Sequence, residues 1–280
     1  MQNMRHIFLN LKRFDIPRES GGVNDIANIS EWAEYIIDHT EKELTKYDSS
    51  EVEFAMFFPE AHIIPAIKAG NEGCIKVGCQ GVYRDDVVKG GNFGAFTTNR
   101  TAKSVKAMGC QSSIIGHCEE RKDLAGILAQ AGETNQKVVN KILNQEIRQA
   151  LQAGLQVLYC VGENAEEQEN WESVLEEQLL VGLEGVDTTN VVIAYEPIWA
   201  IGPGKTPPDA AYIRKIATFI KKVTNGIDVV YGGGLKEDNA QMLSEIEEID
   251  GGLIALTRFA GDIGFYPDEY LKIIQKYMQK

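Results

Sequence analysis

The chain has 280 residues, of which 44% are hydrophobic and 25% are charged, a composition typical of a folded globular protein and not of a disordered one. Asp and Glu number 41 against 28 Lys and Arg, and the net charge of −13 argues against nucleic acid or an anionic membrane as the main partner. No run approaches the roughly 18 apolar residues of a membrane span, and the N-terminus has too short an apolar core for a signal peptide.

The cysteines and histidines do not form the patterns of a metal centre or a disulfide framework. The five cysteines are scattered and form no CxxC pair, and the four histidines lack HExxH spacing. The chain also has no GxGxxG phrase of a dinucleotide site. We therefore predict no metal, no cofactor and a reducing, cytoplasmic location. The residues concerned are Cys74, Cys79, Cys110, Cys118, Cys160, His6, His39, His62 and His117.

Eight short apolar runs, bounded by Gly, Pro or charged residues, have the character of fully buried parallel strands. In chain order they are His6–Asn10, Glu53–Phe58, Lys76–Gln80, Ser112–Gly116, Val157–Val161, Val191–Tyr195, Asp228–Tyr231 and Gly252–Leu256. Amphipathic stretches fill the intervals. The first begins near Trp32 with Ser30 placed as its N-cap, a later one ends at Gly154, and another follows Pro207 and Pro208, which suit a helix start.

The alternation of strands and helices, in units of roughly 35 residues, predicts an α/β protein built from repeated βα units. We predict a (β/α)8 barrel, with an open doubly wound sheet as the alternative that gives the same alternation. No linker-like or low-complexity tract divides the chain, so we predict a single domain over residues 1–280. Two connections, at residues 13–28 and 81–99, exceed the usual length of about 2–6 residues for a βα loop.

A carboxylate stands at the end of the sixth predicted strand. Glu196 directly follows that strand, and a Pro-Ile-Trp turn and a glycine-containing tip at residues 202–204 come next. Barrel enzymes carry their catalytic residues at the C-terminal ends of the strands, and apolar neighbours raise the pKa of a carboxyl toward that of a useful base. A lone glutamate here would as readily cap the next helix. The whole phrase, with small residues suited to a hinged lid, favours a catalytic base.

A histidine follows the fourth predicted strand in the same way. His117 comes directly after Gly116 and before a short charged segment that begins with Cys118 and Glu119. A single histidine is more often structural than catalytic. Here the charged segment predicts a helix, and a helix N-terminus keeps an adjacent imidazole neutral. His117 is therefore the second candidate catalytic residue.

Six phrases spread along the chain carry a more specific signal than these two residues alone. They are Asn10-Leu11-Lys12, Gly94-Ala95-Phe96-Thr97, Gly116-His117-Cys118-Glu119, Cys160-Val161-Gly162-Glu163, the stretch from Tyr195 to Thr206, and Tyr231-Gly232-Gly233-Gly234. In this order they resemble the triosephosphate isomerase family, with Cys118 where the family has serine. The resemblance covers nearly the whole chain. It implies a (β/α)8 barrel that interconverts dihydroxyacetone phosphate and D-glyceraldehyde 3-phosphate through an enediolate.

The resemblance implies a role for each matching residue. Glu196 would be the base that moves a proton between two carbons. His117 would polarise the substrate carbonyl and move protons between the substrate oxygens. Lys12 would offset the developing negative charge. Asn10 would donate a hydrogen bond to the substrate oxygens, and Glu119 would lie behind Lys12 and His117.

The resemblance also has implications beyond the catalytic residues. The segment around Gly202 would close over the substrate phosphate and exclude water. The reaction would need neither cofactor nor metal ion. The loop Gly94–Thr97 resembles the one through which family members form homodimers, although Glu120 stands where the family usually has an arginine beside that interface. The protein would be a cytoplasmic enzyme of glycolysis and gluconeogenesis, and its partner would be a small phosphorylated sugar.

Three positions in the implied phosphate site depart from the family pattern. Gly234 replaces a serine, which removes a hydroxyl donor and leaves a backbone N–H. Ala255 and Leu256 replace two glycines that let the backbone approach the phosphate, so the leucine should crowd the phosphate or move it. Arg258 follows closely and has two open interpretations. It is either a replacement contact for the phosphate or a surface arginine paired with Asp262.

These departures leave the size of the substrate open. We predict the triose-phosphate reaction, for which the catalytic residues and the lid phrase all match. A related ketose phosphate, such as an erythrulose phosphate, would fit an enlarged or repositioned anion site. A barrel that binds a sugar phosphate without turning it over is a further alternative, which the three matching catalytic residues disfavour.

Overall fold

A computed structural model describes residues 4–70, 73–202 and 205–279 of the chain. The strands β1 to β8 are, in order, Arg5–Asn10, Val52–Phe58, Ile75–Cys79, Ser112–Ile115, Gln156–Val161, Val191–Tyr195, Val229–Tyr231 and Gly251–Ile254. Each strand pairs in parallel with the next, and β8 pairs with β1, so that the sheet closes into a barrel. The predicted (β/α)8 barrel is confirmed. The open doubly wound sheet is wrong, because such a sheet would leave two unpaired edges.

Between and after the strands, the described residues form ten α-helices. The helices α1 to α10 are, in order, Trp32–Asp38, Glu41–Leu44, Glu60–Ala69, Ala102–Met108, Cys118–Gln130, Gln136–Gln152, Trp171–Gly182, Ala210–Thr224, Ala240–Ser244 and Pro267–Met278. None of these helices combines the length and the apolar character needed to cross a membrane.

Two apolar cores hold the barrel together. Successive side chains of a strand face opposite sides, so one set fills the barrel interior and the other meets the surrounding helices. The interior set is Phe8, Ala55, Phe57, Ile114, Leu158, Cys160, Val192, Ala194, Val230 and Leu253. On β6, the inward positions are Val192 and Ala194, and the same alternation brings Glu196 toward the interior just after the strand ends.

The predicted strands agree closely with the observed ones. Their bounds differ by no more than one residue except in β8, which ends at Ile254 instead of the predicted Leu256. The residues after Ile254 no longer pair with a neighbouring strand. Ala255 and Leu256 therefore belong to the loop at the end of the barrel and not to its wall.

The predicted helix starts are less accurate. Ser30 does not cap α1, because the helix begins after Glu31, which makes no capping hydrogen bond with its side chain. The two prolines at 207 and 208 precede α8 without entering it. The N-cap of α8 is Asp209, whose carboxylate accepts a hydrogen bond from the backbone N–H of Tyr212 at 2.8 Å.

The long connection after β1 packs against the loop that follows β8. It contains a 3₁₀ turn at Arg18–Ser20. The Arg18 guanidinium binds the Asp25 carboxylate within the connection, and it also donates to the Ile263 carbonyl and the Tyr266 hydroxyl. These contacts join the two loops on one side of the barrel mouth.

Candidate active site

A cavity of about 350 Å³ opens at the end of the barrel where the strands terminate. This is the end at which barrel enzymes carry their catalytic groups. Nine of the ten site residues predicted from the sequence line it: Asn10, Lys12, His117, Glu119, Glu196, Gly202, Gly234, Ala255 and Leu256. The tenth, Arg258, is not among the described residues that line the cavity.

The carboxylate of Glu196 is buried against the N-terminus of α5. The residue is 2% exposed. Its Oε2 accepts a hydrogen bond from the backbone N–H of Cys118 at 2.9 Å, and its Oε1 lies 3.3 Å from Nε2 of His117. Gly232 leaves room for this side chain, because a Cβ at that position would come within 2.8 Å of Glu196 Cγ. The Cys118 N–H thus positions the carboxylate, and the absence of a side chain at Gly232 leaves room for the stem of Glu196.

Burial raises the pKa of Glu196, although the His117 ring and the Cys118 N–H act in the opposite direction. A carboxylate with a raised pKa is a stronger base than one in water, and it is better matched to proton transfer near neutral pH. The environment of Glu196 therefore suits a general base.

His117 is the N-cap of α5, and this position fixes its tautomer. The ring nitrogen Nδ1 accepts a hydrogen bond from the backbone N–H of Glu119 at 3.3 Å. An acceptor at Nδ1 leaves the ring proton on Nε2, the nitrogen that faces Glu196. The start of the helix thus presents an N–H donor beside the carboxylate.

The backbone of Lys12 adopts a left-handed conformation, with φ at 41°. Such angles are uncommon outside glycine, and they concentrate at functional sites. Two polar side chains hold the backbone there: Asn10 Oδ1 accepts from the Lys12 N–H at 3.0 Å, and the Gln80 amide donates to the Lys12 carbonyl at 2.9 Å. Lys12 lines the cavity.

Glu119 contacts both Lys12 and His117, as the resemblance implies. Its Oε1 accepts a hydrogen bond from Lys12 Nζ at 2.7 Å, and its Oε2 lies 3.7 Å from His117 Nδ1. Burial acts to raise the pKa of the Glu119 carboxyl, but the Lys12 ammonium has the larger combined effect and lowers this pKa below its ordinary value. The ion pair orients the lysine beside the histidine.

The segment that follows Glu196 is anchored on a second buried glutamate, Glu163. Its Oε1 accepts hydrogen bonds from the Tyr195 hydroxyl at 2.9 Å, the Trp199 indole N–H at 2.8 Å and the Tyr212 hydroxyl at 3.2 Å. Burial raises the pKa of Glu163, and the three donors act in the opposite direction. Trp199 is thereby fixed close to the end of β6.

The tip predicted as a lid is described only in part. Gly202 lines the cavity and has a φ of 116°, a conformation that favours glycine. Residues 203 and 204, the other two residues of the predicted tip, lie outside the described residues.

Gly234, Ala255 and Leu256 all line the cavity. Gly234 has a φ of 100°, which again favours glycine. Ala255 and Leu256 stand at the two positions where the resemblance implies glycine, and both line the cavity. The departures read from the sequence therefore lie in the site itself.

The contacts of Arg258 correct one of its two interpretations, the pairing with Asp262. Its guanidinium donates to Glu269 Oε1 from Nε at 2.9 Å and from Nη2 at 2.6 Å, and it lies 3.8 Å from the centroid of the Tyr266 ring. Its carboxylate partner is therefore Glu269 and not Asp262, because α10 brings its first turn beside the β8 loop. The role of the same guanidinium as a phosphate contact stays a prediction.

Lys236, Phe259 and Gln80 contribute to the site and are among the described residues that were not predicted from the sequence. Lys236 and Phe259 line the cavity, and Lys236 Nζ lies 4.2 Å from the centroid of the Phe259 ring. Lys236 follows Gly234 by two positions, and this proximity to a recognised phrase is the signal that could have identified it. Gln80, which holds Lys12, is a polar residue at the predicted end of a buried strand, as Glu196 is after β6.

One cluster in this site could hold a metal ion. A ligand atom from each of His117, Cys118 and Glu196 lies within 4.8 Å of the others. Burial, with the Glu196 carboxylate nearby, raises the pKa of the Cys118 thiol to about 12, which opposes the thiolate that a metal requires. An ion there would also occupy the candidate base. The absence of a resident metal thus stays a prediction.

Taken together, the cavity combines a buried carboxylate, a ring N–H donor and an ammonium group. A carboxylate beside a carbonyl substrate can remove a proton from the neighbouring carbon. The N–H donor and the ammonium can stabilise the negative charge that then develops on oxygen. The geometry supports proton transfer at a carbon next to a carbonyl.

Comparisons with known proteins point to one family. A family model described as Triosephosphate isomerase matches residues 26–276. The triosephosphate isomerase of Pelodictyon phaeoclathratiforme (strain DSM 5477 / BU-1) is 38% identical over 196 residues, covering 66% of this chain and 70% of that protein. The triosephosphate isomerase of Leptospira biflexa serovar Patoc (strain Patoc 1 / Ames) is 35% identical over 233 residues, covering 76% of this chain and 86% of that protein.

A solved structure shows the same fold. The crystal structure of triosephosphate isomerase from Bartonella henselae matches with a TM-score of 0.72 at 23% sequence identity, covering 98% of this chain and 99% of that chain. The family model begins at residue 26, near the end of the long connection, and therefore does not include β1. The place of Asn10 and Lys12 in the site therefore rests on the geometry.

Proposed function

The chain belongs to the triosephosphate isomerase family, and from this premise we propose that it interconverts dihydroxyacetone phosphate and D-glyceraldehyde 3-phosphate through an enediolate. Family membership supports an isomerase that acts without a cofactor. One observation supports the proposed catalytic residues: Glu196, His117 and Lys12 line the same cavity at the C-terminal end of the barrel.

The reaction assigns a distinct task to each group. The Glu196 carboxylate removes a proton from C1 of dihydroxyacetone phosphate, and the C–H electron pair becomes the carbon–carbon double bond of the enediolate. The carbonyl oxygen takes up the negative charge, which His117 Nε2–H and the Lys12 ammonium stabilise. His117 then gives its Nε2 proton to the C2 oxygen and takes the proton of the C1 hydroxyl, so that the negative charge moves to the C1 oxygen. The protonated Glu196 returns its proton to C2 as the double bond between C1 and its oxygen forms, which completes the aldehyde product.

The size of the cavity supports a small substrate. Its volume of about 350 Å³ lies near the lower end of the usual range of roughly 300–1,000 Å³ for ligand pockets. The side chains of Ala255 and Leu256 take up space that glycines would leave free. Both features favour a three-carbon sugar phosphate over a four-carbon one.

Turnover of triose phosphates and tetrulose phosphates, measured side by side, tests the proposal. We expect kcat/KM to be higher for the triose phosphates, because the narrowed cavity excludes an additional hydroxymethylene group. Solvent deuterium that enters the substrate carbon distinguishes catalysis from mere binding. A preference for a four-carbon substrate would contradict the triose assignment and leave the isomerase mechanism standing, whereas binding without exchange would contradict both.

We also propose a homodimer through the loop Gly94–Thr97. A second cavity, of about 450 Å³, lies beside the active site and is lined by Lys12, His117 and Glu120 among others. Phe93, next to this loop, is 87% exposed, whereas Phe96 packs against Tyr83 with the ring centroids 5.9 Å apart. An exposed aromatic ring on a protruding loop favours an interface.

A reducing, cytoplasmic location is also proposed, which the free thiols of Cys79, Cys110 and Cys160 support.

Sedimentation at micromolar concentration tests the dimer. We expect a species of twice the 31.0 kDa chain, and we expect Phe93→Asp to shift it toward the monomer, because a charge cannot be buried without a partner at an apolar contact. Leu180→Asp is the matched control, since Leu180 is 57% exposed on α7, away from the loop. A wild-type protein that sediments only as a 31.0 kDa species contradicts the proposal.

A further inference from the structure

Lys236 stands on a rigid turn at the mouth of the active-site cavity. Leu235, the preceding residue, is fully buried, and its N–H donates to the Leu253 carbonyl of β8 at 2.9 Å. The side chain of Asn239 closes the turn from the other side: its Oδ1 accepts from the Lys236 N–H at 2.8 Å and its Nδ2 donates to the Gly234 carbonyl at 2.9 Å. The backbone of Lys236 is thus fixed to the barrel before any ligand binds.

The ammonium group of Lys236 has no acidic partner among the described residues. Its neighbour is the face of the Phe259 ring, with Nζ 4.2 Å from the ring centroid. The other lysine that lines this cavity, Lys12, is paired with Glu119. Lys236 is therefore the lysine of the cavity wall whose charge no carboxylate balances, and an anion that enters the cavity meets it directly.

Gly234 and Lys236 are sterically linked. A Cβ at position 234 would lie 3.3 Å from Lys236 Cε, which is closer than most such contacts. Glycine at this position therefore leaves space for the lysine stem to lie over the turn.

We propose that Lys236 binds the phosphate group of the substrate, in place of the hydroxyl that Gly234 lacks and of the close backbone approach that Ala255 and Leu256 obstruct. In the absence of substrate, the Phe259 ring holds the Lys236 ammonium at the cavity mouth. An ammonium–phosphate contact is a charge-assisted hydrogen bond, which is stronger than the contact with a neutral ring. The inference rests on the proposed function, because it names the group of this chain that recognises the substrate's anionic end.

Kinetics of Lys236→Met test the inference. We expect KM for glyceraldehyde 3-phosphate, and the inhibition constant of inorganic phosphate, to rise by about 10- to 100-fold, the effect of losing a hydrogen bond to a charged group. The turnover number should change much less, because Lys236 contacts the part of the substrate that does not react. Lys236→Arg, which keeps the charge, should retain most of the affinity.

The contrast between the KM and kcat effects, together with the affinity retained in Lys236→Arg, separates this role from a merely structural one. Lys222→Met, an exposed change of the same kind on α8, is the matched control. Lys236→Gln provides a second neutral variant if the methionine variant folds poorly.

The possible failures of the two proposals are distinguishable. A wild-type enzyme that turns over triose phosphate, together with unchanged KM and phosphate inhibition in Lys236→Met, overturns the role of Lys236 and leaves the isomerase function standing. A wild-type protein with no turnover contradicts the proposed function. Calorimetric titration with inorganic phosphate then still decides the inference: weaker binding in Lys236→Met supports the anion site, and equal binding refutes it.

Discussion

Glu196→Gln is expected to lower kcat by about 10²- to 10⁴-fold, the usual contribution of a positioned general base. The amide keeps the size of the side chain, and its oxygen can still accept the hydrogen bond from the Cys118 N–H. It has no lone pair basic enough to remove a proton from carbon. The fold should therefore persist while the chemistry is lost.

Glu196→Asp tests the position of the base separately from its charge. The carboxylate retreats by one methylene, about 1 Å, and a displacement of that size costs roughly 100-fold in rate. Steady-state kinetics of both variants, with circular dichroism to verify the fold, provide the measurement. Glu172→Gln, an exposed change in the first turn of α7, is the control and should retain activity. Full activity in Glu196→Gln would remove Glu196 from the mechanism.

The raised pKa of Glu196 predicts how activity falls in acid. Burial raises the pKa of Glu196 above the ordinary value of 4.5. Because catalysis requires the carboxylate, kcat/KM should fall as the pH drops through this raised pKa, and the midpoint should lie above 4.5. A midpoint at or below the ordinary glutamate value would show that another group limits activity in acid.

The barrel and the catalytic cluster follow from local rules that a sequence displays. Buried parallel strands are continuous apolar runs with sharp boundaries, and all strands of a barrel end on the same side. The residue that follows each strand is therefore close to its counterparts, however distant in sequence. Glu196 and His117 meet for this reason. Cys118, the residue after His117, is hydrogen-bonded to Glu196 although the two are 78 positions apart in the sequence.

Contacts between loops do not follow such rules. Arg258 pairs with Glu269 because α10 returns beside the β8 loop, and the nearer acidic residue, Asp262, is not its partner. Lys236 reaches Phe259 across the cavity mouth for a similar reason. Which side chains pair depends on how two irregular segments lie against each other, and no periodic pattern records that.

Lys12→Met is expected to lower kcat/KM by about 10²- to 10³-fold, the range found when one preorganised donor to a developing oxyanion is removed. The structure adds a second effect in the same direction. Lys12 Nζ donates to Glu119 Oε1 at 2.7 Å, so its loss leaves the Glu119 carboxylate unbalanced beside the oxygen that becomes negative. Methionine matches the lysine stem in length and places no charge in the cavity.

The double variant Lys12→Met with Glu119→Gln separates the two effects. If the unbalanced carboxylate contributes, the double variant should be more active than Lys12→Met alone, since the neutral amide no longer repels the enediolate. The comparison is a double-mutant cycle on kcat/KM, with Lys222→Met as the control for removing a lysine charge elsewhere. Equal activity of the single and double variants would show that Glu119 acts only by orienting the lysine. Wild-type kcat/KM in Lys12→Met would show that the strained backbone at φ 41° serves some purpose other than presenting this ammonium to the substrate.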